Sequence, residues 1–128
     1  MIVAGVGCRK GASAAQVRLA IAAACARAGL AADAPDLIAT AARKGAEPGI
    51  SAAAAGLGVP LVLVSQGDLA AQAERTATRS ERVLALIGVP SVAEAAALAA
   101  AGPAARLVAA KISVGPATCA LAVSGAAP

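Results

Sequence analysis

A glycine-rich segment with two adjacent cations is the first part of this sequence that could do chemistry. It runs Gly5-Val6-Gly7-Cys8-Arg9-Lys10-Gly11 and lies between the apolar run 2–4 and a helix start at Ser13. The first N–H groups of a helix attract anions, and Arg9 and Lys10 add positive charge at the same place. The segment therefore predicts a site for an anionic ligand. Its candidate residues are Gly5, Gly7, Cys8, Arg9, Lys10 and Gly11.

The segment departs from the dinucleotide fingerprint G-x-G-x-x-G. Lys10 occupies the position of the third glycine, and Gly11 comes one residue later. Asp33 and Asp36 precede the second expected strand, whereas a ribose-binding acid would follow it. The simpler alternative is a glycine turn that only connects a strand to a helix. Adjacent cations at a helix N-terminus oppose the helix dipole, and this favours an anion.

A second polar cluster follows the second expected strand. Thr40, Lys44 and Glu47 lie where open α/β sheets place ligands, at the carboxyl ends of parallel strands. An exposed loop with a solvated Lys-Glu pair explains the same spacing. Lys111 interrupts a later apolar run, and its side chain either reaches this edge or extends to water. Ser91 and Glu94 match a capping box and are expected to act only as a helix cap.

The elements that position these residues follow from the pattern of apolar runs and turn signals. The expected strands cover residues 2–6, 37–40, 61–64, 107–112 and 118–123, with a turn at 114–116. The unbroken run 61–64 is typical of a strand buried on both faces. A polar loop is expected over 41–49.

Expected helices alternate with the first strands. The first runs from the Ser13/Gln16 capping box to Gly29, and the second is an alanine-rich segment closed by Gly56 and Gly58. A brief helix capped by Asp68, a helix over 80–87 and a helix from Ser91 to Gly102 are expected after them. This order predicts one domain over residues 1–128. Its class is three-layer α/β/α, with a mostly parallel sheet and a C-terminal antiparallel hairpin.

Composition excludes several kinds of function. The chain has 128 residues, is 59% hydrophobic, and contains neither aromatic residues nor histidine. Histidine catalysis and histidine metal sites are therefore excluded, and we expect no metal and no cofactor. Nucleic acid is not an expected partner because there is no aromatic side chain on which a base could stack. The net charge of +4 suits a small polyanion better.

Location and redox state follow from the same composition. The longest uncharged run, 48–67, is interrupted by prolines, glycines and polar residues, so no membrane-spanning segment is expected. The three cysteines are widely spaced and include no Cys-x-x-Cys pair. Reduced thiols in the cytoplasm are the expected state.

These motifs, taken in order, resemble those of the CobE/CbiG C-terminal domain family of cobalamin biosynthesis. The resemblance rests on G-x-G-C-R-x-G at Gly5–Gly11, I-A-T at 38–40, K-x-x-E at Lys44 and Glu47, Ser80 with Val83, GVPSVAEAAAL at 88–98, and Lys111. Together they cover nearly the whole chain in the family's order. The resemblance implies a three-layer α/β fold and a role in the cobalamin pathway.

The family occurs as a free-standing protein and as the C-terminal part of a hydrolase that opens the lactone of a cobalt-precorrin. The chain begins at the domain's first strand and ends at its last, so we expect the free-standing form. The resemblance implies a corrinoid ligand, such as hydrogenobyrinic acid, whose carboxylates surround a large apolar ring. An alanine-rich cleft edged by Arg9, Lys10, Lys44 and Lys111 would receive it.

Two other functions stay open. One is an enzyme acting on a precorrin, with Glu47 as acid or base, Lys44 polarising a carbonyl and Cys8 as nucleophile. Without a histidine base, Cys8 is better explained as a small residue of the turn. The other is an interaction domain for other cobalamin-pathway enzymes.

Overall fold

The computed structural model describes residues 1–44, 47–77 and 91–124, together with all side chains in these ranges except that of Lys44. Five strands form its sheet: β1 (Ile2–Cys8), β2 (Leu37–Ala41), β3 (Leu61–Val64), β4 (Arg106–Val114) and β5 (Ala117–Val123). Their order across the sheet is β3-β2-β1-β5-β4. β1, β2 and β3 are parallel, and β5 runs antiparallel to both β1 and β4. The prediction of a mostly parallel sheet with a C-terminal antiparallel hairpin is confirmed.

Helices cover both faces of this sheet. In chain order they are α1 (Ala14–Arg27), α2 (Pro48–Leu57), α3 (Gln66–Ala70) and α4 (Val92–Ala101), with single 3-10 turns at Ala42–Lys44 and Ala73–Arg75. α1 packs against α2, β4 and β5, whereas α4 packs against α3, β1, β2 and β5. The result is the predicted three-layer arrangement. The helix expected over 80–87 lies outside the described residues.

Local sequence signals explain where most helices begin and end. Ser13 and Gln16 form the expected capping box at the start of α1, and Gly29 follows this helix with φ 73°. Gly58 closes α2 in the left-handed conformation. Pro48 occupies the first turn of α2, so this helix begins inside the segment that was expected to be a loop.

The cap of α3 differs from the prediction. Ser65, not Asp68, is the N-cap residue, because its Oγ accepts a hydrogen bond from the Asp68 N–H at 3.2 Å. Asp68 lies in the first turn of α3, where its charge favours the helix dipole.

β1 is longer than predicted, and this changes the place of two glycines. It extends to Cys8 because its antiparallel pairing with β5 continues to Cys8 opposite Ala117. Gly5 and Gly7 therefore lie within the central strand and not in the turn that follows it. β4 also exceeds its predicted limits of 107–112, because its pairing with β5 runs from Arg106 to Val114.

β3 occupies residues 61–64 as predicted, but it is not buried on both faces. It is an edge strand with β2 as its neighbour, and Leu63 is 50% exposed. The reason is topological, since the two C-terminal strands join the sheet beside β1 and leave β3 at the opposite edge.

Two clusters of small apolar residues form the core, one on each face of the sheet. The α1 side contains Val6, Ile21, Ile38, Ile50 and Leu121. The α4 side is built from Val3, Leu37, Leu69 and Leu98 with many buried alanines. Because alanine and glycine are small, α4 lies close to β1 at Gly5, where the backbone of Ala93 packs against the strand.

Candidate functional site

The loops that carry the predicted site residues meet at the carboxyl end of β1 and β2. α1 and α2 both begin at this edge, as the parallel strands require. The turn of the β4–β5 hairpin lies there too, because the Arg9 N–H donates to the Pro116 carbonyl at 2.9 Å. The sequence analysis therefore located the edge correctly.

Arg9, Lys10 and Gly11 are exposed in the turn that follows β1. Gly11 has φ 85°, and nothing lies within 4 Å of the position where a Cβ would be. This conformation favours glycine because an L side chain is strained there. Of the three glycines in the segment, Gly11 is thus the turn glycine that the sequence predicted.

The backbone N–H groups of this turn are largely committed to contacts within the chain. Gly11 N–H donates to Oε2 of Glu47 at 3.3 Å, and Ser13 N–H donates to Oε1 of Gln16 at 2.9 Å. Gln16 N–H in turn donates to Oγ of Ser13. The prediction that backbone N–H groups of this turn bind an anion is therefore corrected in part, because several of them already donate within the chain. The exposed positive groups at this turn are the side chains of Arg9 and Lys10.

Glu47 reaches the turn because α2 packs directly on it. A Cβ at Gly49 would lie 2.0 Å from the Ala12 carbonyl oxygen, so only glycine allows this approach of two backbones. Glu47 is the N-cap residue of α2 by position, but its side chain makes no capping hydrogen bond to that helix. Its carboxylate bridges the two loops instead, and this joins two residues that the sequence assigned to one site.

Thr40 is buried between the strands and does not face solvent. It is 0% exposed, and its hydroxyl donates to the Val6 carbonyl at 2.7 Å. The last paired residues of β1 and β2 are Gly5 and Ala39, and the Thr40 hydroxyl links the two strands just beyond that pair. The hydroxyl therefore stabilises the sheet edge on which the loops are mounted.

Gly5 and Gly7 permit close packing and are not exposed to a ligand. A Cβ at Gly5 would lie 1.9 Å from the Ala93 carbonyl oxygen of α4, and one at Gly7 would lie 2.9 Å from Oγ1 of Thr118. Gly7 is also held by its carbonyl, which accepts a hydrogen bond from the Thr118 hydroxyl at 3.2 Å.

The cysteines have different surroundings. Cys8 is half-buried at the end of β1 and packs against the α1-side core. Cys25 and Cys119 are buried. Burial raises the pKa of the Cys119 thiol far above its ordinary value, with a smaller contribution from Cys25. Burial, and then the charge of Asp33, raise the pKa of Cys25.

Lys44 ends the 3-10 turn after β2, and its side chain lies outside what the structure describes. Other parts of the family motifs also lie outside the described residues, namely Ser80, Val83 and residues 88–90. Arg43, in the same 3-10 turn as Lys44, is exposed. The sequence analysis missed Arg43, although its position directly before Lys44 was a signal that could have found it.

A shallow cavity of about 160 Å³ opens beside Arg43. It is lined by Ala41, Ala42, Arg43, Val64, Gln66 and Leu69. A larger groove of about 530 Å³ lies elsewhere, along α1 and the end of α2, and its lining includes Arg18, Leu19, Asp33 and Leu57. Arg9, Lys10 and Lys111, which were expected to edge an alanine-rich cleft, line neither of these two cavities.

Lys111 and Glu94 are joined by a hydrogen bond that the sequence did not predict. Ser91 caps α4 as expected, since its Oγ accepts from the Glu94 N–H at 3.4 Å. The Glu94 carboxylate, however, accepts a hydrogen bond from the Lys111 N–H of β4 at 2.8 Å. The prediction that Glu94 acts only as part of a helix cap is therefore wrong.

Among the described residues, exposed positive side chains outnumber exposed carboxylates at this end of the sheet. We define the cation edge as Arg9, Lys10 and Arg43, which are all exposed. Lys111 is half-buried within β4, where its neighbour Ile112 pairs with Cys119. The carboxylates described nearby are Glu47, which is partly exposed, Asp68, which is exposed in the first turn of α3, and Glu94, which is buried. The N-terminal ends of α1, α2 and α4 add partial positive charge on the same side. The arrangement favours an anionic ligand with several charges.

Among residues 1–44, 47–77 and 91–124, no group of three or more His, Cys, Asp or Glu side chains is placed to hold a metal ion. No helix within those ranges is long and apolar enough to cross a bilayer.

The sequence matches the model of a known family and is similar to a curated protein. The family model described as cobalamin synthesis G C-terminus matches residues 2–122. Protein CobE from Sinorhizobium sp. is 40% identical over 121 residues, which is 94% of this chain and 79% of that protein.

Solved structures of cobalamin-pathway proteins have the same fold. CobE, described as a protein from the cobalamin biosynthetic pathway, superposes with a TM-score of 0.88 at 35% identity, covering 95% of this chain and 89% of that one. The cobalamin biosynthesis protein chiG from Agrobacterium tumefaciens gives 0.78 at 45% identity, covering 98% and 100%. A protein G homologue from Sulfolobus solfataricus gives 0.67 at 22% identity and 37% coverage of its own chain, which is a likeness of fold alone.

Proposed function

We propose a function from the premise that this chain belongs to the cobalamin synthesis G C-terminus family and is therefore a protein of cobalamin biosynthesis. The proposal is that it binds a polycarboxylate corrin or precorrin intermediate. Its role would be that of a carrier or accessory factor in the cytoplasm. Hydrogenobyrinic acid is the representative ligand, because it combines a large apolar ring with several carboxylates.

The observation that carries this proposal is the pair of exposed cations Arg9 and Lys10 in a turn held on two sides. Glu47 binds the turn through Gly11, and Pro116 binds it through the Arg9 N–H. A turn that is ordered before binding loses less conformational entropy when its side chains meet a ligand. Arg43 follows β2, which pairs with β1, so the loop that carries Arg43 and the turn that carries Arg9 leave the sheet about 5 Å apart.

The ring itself needs an apolar surface. Ala41, Ala42, Val64 and Leu69 line the shallow cavity beside Arg43. A ring lying over this depression would keep its peripheral carboxylates within reach of the cation edge. Carboxylates that meet Arg or Lys side chains form charge-assisted hydrogen bonds, which are stronger than neutral ones.

Two polar groups of the predicted site hold the protein together at this edge. The Thr40 hydroxyl donates within the sheet, and the Glu47 carboxylate accepts from a backbone N–H. Both contacts order the surface that carries Arg9 and Lys10, and a pre-ordered surface supports the proposed binding role.

The direct test is titration of the purified protein with hydrogenobyrinic acid, followed by visible absorbance and by calorimetry. We expect saturable binding of one ligand per chain, weakened by added salt because charged groups carry much of the recognition. Absence of saturable binding at low salt would overturn the proposal.

A precorrin-transforming enzyme remains the second candidate, because Glu47 and Cys8 both adjoin the turn that bears Arg9 and Lys10. In that case Glu47 would act as acid or base, Lys44 would polarise a carbonyl and Cys8 would be a nucleophile. Incubation with successive pathway intermediates, followed by mass spectrometry, separates the two. A new product that disappears in Glu47→Ala, while binding persists, would favour the enzyme.

A further inference from the structure

Glu94 is a buried carboxylate that the proposed function does not yet use. It lies in the first turn of α4 and is 0% exposed. Charged side chains are rarely buried completely unless polar partners compensate for the lost hydration. One such partner is the backbone N–H of Lys111, which lies 2.8 Å from Oε2. The contact joins the α4 layer to β4, 17 residues further along the chain.

β4 is an edge strand of the described sheet, and it bulges near Lys111. The pairing of β4 with β5 passes from Ala109 opposite Leu121 to Ile112 opposite Cys119, so three steps on β4 match two steps on β5. One extra residue therefore lies in β4 between these pairs. An extra residue in a strand interrupts the ladder locally and redirects the side chains around it. The Glu94 carboxylate supplies an acceptor at this interruption.

Lys111 adjoins residues that face the α1 side. Ile112 and Val114 pack against the α1-side core. The Glu94 carboxylate reaches the Lys111 N–H from α4, which covers the opposite face of the sheet. The first turn of α4 lies at the carboxyl end of the parallel strands, so this hydrogen bond joins Lys111 to the end of α4 that lies on the same side as Arg9 and Arg43.

We infer that Glu94 is a positioning residue: by binding the Lys111 N–H it fixes the bulge of β4 and holds the Lys111 side chain beside the cation edge, where it meets a ligand carboxylate. The inference rests on the proposed corrinoid binding. It assigns Glu94 an indirect role, through Lys111, and no contact with the ligand itself.

The test is a double-mutant cycle of Glu94→Leu and Lys111→Met, read by calorimetric titration with hydrogenobyrinic acid. Leucine has a similar volume but no acceptor, and methionine keeps most of the lysine stem without its charge. We expect each single change to weaken binding by roughly tenfold, and the double change to weaken it no more than either alone. Glu94→Gln keeps an oxygen acceptor for the Lys111 N–H and should restore binding to within about twofold of the wild type.

A merely structural role for Glu94 would give a different pattern. Glu94→Leu would then lower stability without changing the affinity of the folded fraction, or its effect would multiply with that of Lys111→Met. Either result would overturn the inference while the wild type still bound, so the proposed function would survive. No binding by the wild type would overturn both proposals.

If Glu94→Leu does not fold, Glu94→Asp takes its place in the same cycle, because the shorter side chain withdraws the acceptor without removing the charge. The amide resonance of Lys111 provides a measurement without ligand. Loss of the hydrogen bond should move this resonance upfield in Glu94→Asp, and by clearly less in Glu94→Gln, whose neutral oxygen still accepts but more weakly than a carboxylate. An unchanged resonance in Glu94→Asp would contradict the positioning role.

Discussion

The segment from Gly5 to Gly11 divides at Cys8 into two parts with different physical roles. Gly5 and Gly7 lie inside the central strand, where a side chain would collide with α4 or with Thr118. Arg9, Lys10 and Gly11 lie in an exposed turn, where Gly11 is required for its positive φ and not for lack of space. One sequence motif thus combines a packing requirement with a surface that presents charge.

This difference separates stability from recognition within seven residues. The buried part should tolerate almost no added volume, because protein interiors are close-packed. The exposed part should tolerate changes of side chain with little loss of stability, but with changes in affinity for an anion. Substitutions on each side of Cys8 therefore test this distinction.

The largest expected effect is that of Gly5→Ala on folding. The added methyl group would overlap the Ala93 carbonyl of α4, which is backbone and cannot move without shifting the helix. We expect the free energy of unfolding to fall by about 3 kcal/mol or more, measured by urea denaturation. Gly67→Ala is the matched control, because Gly67 lies in α3 with nothing within 4 Å, and its change should stabilise by about 0.5 kcal/mol. Similar stability for the two variants would contradict the packing role of Gly5.

The pH dependence of stability should come from the buried Cys119 thiol, which lies beside β1 in the sheet. Cys119 pairs with Val6 in the sheet, and burial keeps its thiol protonated at a pH at which an unfolded thiol, with its ordinary pKa of 9.0, ionises. The unfolded state then binds fewer protons than the folded state, so stability falls as the pH rises above that value. The slope is at most about 1.4 kcal/mol per pH unit for this thiol.

Denaturation curves of the wild type and Cys119→Ala, recorded from about pH 7.5 to about pH 10.5, measure this contribution. The variant should lose stability less steeply over the alkaline range. Parallel curves for the two proteins would show that the Cys119 thiol is not the source.

In the exposed turn, Gly11→Ala should have a smaller effect on stability. The position is open, so the cost is the left-handed backbone conformation alone, about 1 kcal/mol. Gly11→Asn should cost less than Gly11→Ala, because asparagine adopts this conformation more readily. A loss as large as that of Gly5→Ala would show that the turn is packed and not open.

Glu47→Gln should change affinity and hardly change stability. Glutamine keeps an oxygen acceptor for the Gly11 N–H but removes a negative charge that opposes ligand carboxylates. We expect hydrogenobyrinic acid to bind roughly twofold to fivefold more tightly at low salt, with the gain lost at high salt. Glu74→Gln, an exposed carboxylate in the second 3-10 turn, serves as the control. Equal gains in both variants would mean that only net charge matters.

Local signals explain why much of the fold could be predicted from the sequence. The Ser13/Gln16 capping box, Gly29 and Gly58 act within a few residues of themselves, and the structure uses them as expected. Features that depend on distant neighbours were missed. The exposure of Leu63 follows from which strands pair, and the length of β1 follows from its pairing with β5.

The same distinction applies to the site. Parallel strands guarantee that the loops after β1 and β2 share an edge, so the cluster of cations was predictable. The contact of Glu47 with Gly11 was not, because it depends on the close approach of Gly49 to Ala12. The Glu94–Lys111 hydrogen bond was hidden for a similar reason, since Ser91 and Glu94 have the spacing of an ordinary helix cap.

The most direct test of the central claim compares two double variants with equal loss of charge. Arg9→Ala with Lys10→Ala removes two cations from the cation edge. Arg27→Ala with Arg106→Ala removes two exposed cations from the end of α1 and the start of β4, at the opposite edge of the sheet. Calorimetric titration with hydrogenobyrinic acid at low salt gives the dissociation constant of each.

We predict that the first pair weakens binding by about tenfold and the second by less than about twofold, because direct contacts outweigh the long-range effect of net charge. Equal weakening by both pairs would contradict a binding site at the turn that carries Arg9 and Lys10.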